Sequence, residues 1–167
     1  MTRTRIALAL TSFLLANSAL AADQMTAQAT SLTTTAASKI AQAALSECQK
    51  GGYLVAVAVV DRSGVPLALL RDNLAGPHTP QTAIGKAWTA VSFRNNTSNL
   101  VDMSAPGKPS AGIRDIPGVV ALGGGLTISA RGILLGAVGV SGAPGGHLDD
   151  ACGNAGIKAI QASLELE

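Results

Sequence analysis

Residues Tyr53–Asp61 read Tyr-Leu-Val-Ala-Val-Ala-Val-Val-Asp, and no polar residue interrupts the run between Leu54 and Val60. A strand with one wet face alternates apolar and polar residues. One without alternation needs cover on both faces. This run therefore calls for a sheet with a layer of structure on each side. Asp61-Arg62-Ser63-Gly64 supplies a turn, and Val65–Arg71 returns as a second strand, so the two form an antiparallel hairpin.

The remaining segments supply the layers. Leu32–Lys50 predicts a helix with Ala37, Ile40, Ala41, Ala44 and Cys48 on one face, stopped by Gly51-Gly52. Pro80 suits the first turn of a helix that runs to Phe93, with Ile84, Ala87, Trp88 and Val91 on its apolar stripe. Asn95–Met103 reads as a short helix. Val119–Leu122, Leu126–Ala130 and Ile133–Val140 read as strands, the last two joined through Arg131-Gly132. Leu148–Leu166 closes the chain as a helix with two stripes, Leu148, Cys152, Ala155 and Ala159 on one and Ile157, Ile160 and Leu164 on the other. The order predicts an α+β domain with an antiparallel sheet of about five strands packed against helices. No internal repeat or linker divides it.

The first residues stand apart. Arg3 and Arg5 precede the mostly apolar run Ile6–Leu15, and Ala19-Leu20-Ala21 ends it with small residues, the pattern of a secretory signal peptide cleaved after Ala21. The expected organisation is a leader over 1–21, a flexible segment over 22–31 and one domain over 32–167, in a periplasmic or secreted protein. Arg3 and Arg5 depart with the leader, leaving ten basic and ten acidic residues. A neutral surface argues against nucleic acid and anionic membranes as partners and suits self-association. No segment is long enough to span a bilayer. All 19 glycines follow the leader, so tight turns and close backbone approaches are expected. In an oxidising compartment Cys48 and Cys152 can pair if the first and last helices pack antiparallel. Two buried thiols acting as small apolar groups are the other reading, and the sequence leaves both open.

Several signatures fall short. Gly85-Lys86 lacks the first glycine and the hydroxyl residue of a phosphate-binding loop, and Gly123-Gly124-Gly125 lacks the last glycine of a dinucleotide motif. Gly139-Val140-Ser141-Gly142-Ala143 is one residue short of a nucleophile elbow, and His147 follows Ser141 too closely for the usual order. Two histidines and two distant cysteines give no zinc spacing. Asp149-Asp150 open the last helix, where carboxylates interact favourably with its dipole, so a capping role outweighs an acid/base one. Imidazoles and thioethers are axial ligands of haem iron, which makes His78, His147 and Met103 candidates, while Lys108, Arg114 and Arg71 are cations able to pair with propionates. The long Ser104–Pro117 segment is of the kind that carries function.

Val59–Leu67 with Arg71-Asp72, Lys86-Ala87-Trp88-Thr89-Ala90, Gly123–Leu126 with Ile128, Gly136–Gly142 and Asp149–Cys152 with Ala155-Gly156 together resemble the GlcG/HbpS-like haem-binding (haem-degrading domain) family. The resemblance spans Val59–Ile157. It implies a profilin-like α/β/α sandwich, homo-oligomers such as tetramers or octamers, and haem as cofactor, for scavenging, sensing or degradation. It transfers no iron ligand to a position here.

The resulting expectation is an exported, self-associating haem-binding protein, more a binder than a catalyst. Its ligand would lie between Ser104–Pro117, Asp72–Thr79 and Ser141–His147, with His78 or His147 on iron and Lys108 or Arg114 on propionates. Two other classes are consistent with the sequence. One is an enzyme or binding protein for a small organic acid, using Ser141 or Arg114. The other is a structural oligomer without a specific ligand.

Overall fold

The computed structural model describes residues 25–166, so the expected leader lies outside the described residues. Helix α1 (Thr34–Lys50) starts where the Thr33 hydroxyl accepts the Ala36 N–H and ends at Gly51, with Lys50 in its last turn. Strands β1 (Ala56–Asp61) and β2 (Pro66–Arg71) follow, then α2 (Thr79–Phe93) and α3 (Thr97–Met103). A 3-10 turn at Ala111–Asp115 leads to β3 (Gly125–Ala130), β4 (Ile133–Ser141) and α4 (Gly146–Leu166).

The sheet is antiparallel in the order β2-β1-β4-β3. As the apolar run requires, Ala56–Val60 are all buried. The two faces differ in size. Val55, Val57 and Val59 join Leu126, Ile128, Val138 and Val140 beneath α1 and α4. Ala56, Ala58, Val60 and Ala137 face α2, which answers with Ala83, Ala87 and Ala90. Small residues on both sides let α2 lie close to the sheet. Gly139 marks the tightest point, since an added Cβ there would overlap the Ala83 carbonyl oxygen and meet the Ala87 nitrogen at 2.7 Å.

The expected stripe on α1 is buried as read, with Leu45 added. On α2 the stripe is displaced. Ala83, Lys86, Ala87, Ala90 and Val91 are buried, while Ile84 and Trp88 are only half-buried. On α4 the buried positions are Asp149, Cys152, Gly153, Gly156 and Ile160, so a line of small residues faces α1 and the sheet.

The sheet has four strands, which corrects the expected five. Residues 119–122 form no strand because they lie across α2 instead. The Val120 N–H donates to Thr89 Oγ1 at 2.8 Å, and the Val120 side chain packs over Gly85. Its donor is satisfied by a helix side chain rather than by a sheet edge. Cys48 and Cys152 form a disulfide with Cα atoms 5.4 Å apart, joining the end of α1 to the start of α4. Before α1, Ser31 and Leu32 bond to Leu135 O, and Leu32 is buried. Among the described residues no helix is long and apolar enough to cross a membrane.

Antiparallel order gives the sheet two distinct ends. The hairpin turns after β1 and β3 lie at one end, the hairpin end. At the other, β2 and β4 finish and feed α2 and α4, so both helix starts share this end.

Candidate functional site

The helix-start end carries both histidines. His78 occupies the N-cap position of α2 without a side-chain cap. The turn is held instead by Thr79, whose N–H and hydroxyl both donate to Gly76 O. His147 lies in the first turn of α4. Each imidazole packs over the glycine two residues earlier, Gly76 or Gly145, and each is exposed. No hydrogen bond among the described residues occupies either ring. Leu122 is 55% exposed beside this end, and the following Gly123 touches Gly146.

Beneath the first turn of α4 lies a buried polar cluster. Lys86 and Asp149 are each only 3% exposed. Lys86 Nζ donates to Asp149 Oδ2 at 2.7 Å and to Val140 O at 2.8 Å. The Ala143 N–H donates to Asp149 Oδ1 at 3.1 Å. Asp150 Oδ1 accepts the Gly124 N–H at 2.7 Å, and Oδ2 accepts the Ser98 hydroxyl. This network ties α2, α3, the end of β4 and the glycine run to α4. Gly124 is required here: its φ is +111°, and an added Cβ would meet Val140 O at 2.5 Å and Lys86 Nζ at 2.9 Å. Burial pushes the Asp149 carboxyl above its ordinary range, and the hydrogen bond from Lys86 offsets this only in part.

Asp149 thus lies in the first turn of α4, where a carboxylate suits the helix dipole, and it is in addition the buried partner of a lysine, which the capping reading did not include. The sequence carried one signal of this. Lys86 lies three residues after Ala83 and four before Ala90, a lone charge on the side of α2 that faces the sheet.

The other expected residues take varied positions. Lys108 is exposed in the 104–117 segment. Arg114 turns back on that segment, with Nε donating to Ser104 O at 2.7 Å and Nη2 to Val101 O at 3.0 Å. It thus satisfies carbonyls at the end of α3, a common use of a helix-terminal cation. Arg71 likewise donates to Asn73 O and Ala75 O, bracing the loop before α2. Met103 is 49% exposed, and its sulfur accepts Asn95 Nδ2 at 3.6 Å. Ser141 is buried at the end of β4, and no hydrogen bond joins it to either histidine. Among the described residues no group of three His, Cys, Asp or Glu side chains gathers to hold a metal ion.

Two cavities open elsewhere, toward the hairpin end. One, of about 200 Å³, has Leu32, Ile133, Leu135 and Ile160 in its lining, with Lys39 and Arg131 among its polar members. The other, of about 450 Å³, lies on the α2 side by β3.

A four-stranded antiparallel sheet between two helices on one face and one on the other, with both helix starts at one end, defines an α/β/α sandwich of the profilin-like type. The chain belongs to the haem degrading protein HbpS-like family, whose model matches residues 32–158. It is similar to the crystal structure of HbpS, with a TM-score of 0.77 and 41% identity over 81% of this chain and 94% of that one. Similarity to the PduOC:heme complex gives a TM-score of 0.72 and 30% identity, over 78% and 95% of the two chains. An uncharacterized 15.0 kDa protein of Citrobacter freundii, from a dhaT-dhaS intergenic region, is 33% identical over 117 residues, 69% of this chain and 82% of that protein.

Proposed function

We propose that this protein binds haem at the helix-start end of its sheet, using His78 or His147 as axial ligand. The observation that carries the reading is similarity over most of the domain to PduOC, whose crystal structure is a heme complex. The donor chemistry agrees. The described residues offer no cluster able to hold a bare metal ion. A porphyrin brings four nitrogens of its own and asks the protein for only one or two axial ligands. Two imidazoles with no hydrogen-bond partner among the described residues meet that demand. Exposed Leu122 and Leu74 offer apolar contact, and Lys108 is a cation open to a propionate. Bound haem would supply iron for ligand exchange or electron transfer, and the chain's part is to hold and orient it.

The expected export and self-association belong to the same proposal. A disulfide suits an oxidising compartment, which supports export. Equal numbers of acidic and basic residues after the leader place little charge in the way of self-association. Cell fractionation and sedimentation velocity check these two points.

The direct test is a haemin titration of protein lacking residues 1–21, followed at the Soret band, with His78→Ala and His147→Ala alongside. Saturation at a fixed ratio, with the Soret shift lost in one variant, is the expected result. A linear rise unchanged in both variants would show haem adhering to apolar surface and would end the haem reading.

A further inference from the structure

The 450 Å³ cavity beside β3 has a charge imbalance that no ion pair among the described residues resolves. Its lining includes two arginines, Arg62 and Arg94, two hydroxyl residues, Thr127 and Ser129, and the apolar Ile133 and Leu134, but no carboxylate. The two ion pairs among the described residues, Lys50–Glu47 and Lys86–Asp149, use neither arginine. Both side chains reach water, and two like charges lining one groove raise its positive potential, which favours an anion there over a cation.

Their backbones are nevertheless fixed. Arg94 caps α2 in the left-handed conformation, φ +50° and ψ +39°, with its N–H on Ala90 O and Val91 O. Glycine or asparagine normally takes such a position. Two residues on, Asn96 Oδ1 accepts both the N–H and the hydroxyl of Thr127, fastening this corner to β3. Arg62 sits in the β1–β2 turn, where Asp61 Oδ1 accepts the Ser63 and Val65 N–H groups, and its own N–H reaches Ser31 Oγ at 3.4 Å. Thr127 has already donated its hydroxyl proton to Asn96, so Ser129 is the hydroxyl donor left to a ligand. Each guanidinium fork matches one carboxylate. Leu134 and Ile133 offer an apolar floor for a short carbon chain between two carboxylates, which a bare inorganic anion would leave uncovered.

We infer that this groove is a binding site for a small organic dianion, a short dicarboxylate held between Arg62 and Arg94. It lies on the α2 side toward the hairpin end, away from His78 and His147, and is independent of haem.

Isothermal titration of the disulfide-bonded protein lacking residues 1–21 with succinate, at low ionic strength, tests it. The expected result is one saturable site per chain, weakened at least tenfold by Arg62→Gln and by Arg94→Gln. Arg94→Lys keeps the charge but loses the fork and should weaken binding less. Arg131→Gln, a charge removed from the neighbouring cavity, should leave the affinity unchanged. Near-ultraviolet circular dichroism checks that each variant is folded. The inference is overturned if succinate shows no saturable site, if either glutamine variant binds as the parent does, or if Arg131→Gln weakens binding equally. Binding of inorganic phosphate without binding of succinate overturns it as well.

Discussion

Replacing Lys86 by methionine removes a charge of similar length from the interior and leaves Asp149 with one partner, the Ala143 N–H. At 2.7 Å and an effective dielectric constant of about 20, the pair's attraction is about 6 kcal/mol. Against it stands the loss of hydration, several kcal/mol for each ion. Burial raises the Asp149 carboxyl despite its lysine, so desolvation is the larger of the two at this carboxylate. The pair then contributes little against a well-packed apolar equivalent, yet breaking it is expensive. Lys86→Met or Asp149→Leu alone should cost about 3–5 kcal/mol, while the double variant should fall within about 2 kcal/mol of the parent. Urea unfolding with the disulfide intact measures all three. Single variants that lose less than about 1 kcal/mol, or a double variant as unstable as the sum of the singles, would refute the reasoning.

Replacing Cys48 and Cys152 together by alanine opens a connection spanning 104 residues and should cost about 4–5 kcal/mol by the chain-entropy argument, read as a lower urea midpoint than the parent's under non-reducing conditions. Gly139→Ala should destabilise by about 1–3 kcal/mol by forcing α2 off the sheet. Gly112→Ala, where an added Cβ meets nothing within 4 Å, should stay within about 0.5 kcal/mol; thermal melts compare the two. In carboxyl NMR titrations Asp149 should titrate above an ordinary aspartate, because burial disfavours its charge, and Asp72 below one, chiefly because Gln49 donates to it. The raised value makes Asp149 stabilising on the acid side. Between its unfolded and folded pKa the unfolding free energy should fall as pH rises, and Asp149→Asn should remove that slope.

The layering was legible because it followed from period and continuity. The run Leu54–Val60 demanded cover on both faces, and the α1 stripe appeared where Ala37, Ile40 and Cys48 put it. Errors arose where packing, not pattern, decides. Val119–Leu122 has a strand's composition, but Thr89 on a helix takes the Val120 donor. On α4 each of the two expected stripes places one residue in the core, Cys152 and Ile160, whereas the tight contacts fall at Gly153 against Leu126 and Gly156 against Ile40, positions that a reading of apolar side chains passes over. For the candidate site, the sequence singled out both histidines and the three segments 72–79, 104–117 and 141–147. It gave no sign that Arg114 would spend its donors on α3, because that depends on where the 104–117 segment folds back. Lys86 and Asp149 stand 63 positions apart, and only the shared end of α2 and α4 brings them together.

The bond between Cys48 and Cys152 also alters what a protease can do to this domain. It turns everything from the end of α1 to the start of α4 into a closed covalent ring, and the exposed 72–78 and 104–117 segments both lie inside it. A single cut in either segment opens the ring without releasing a piece. The nicked chain should therefore migrate at full mass until a reductant is added and then separate into two fragments. Damage at the surface would thus leave all four strands and three layers joined, and a cleaved molecule would persist as one body.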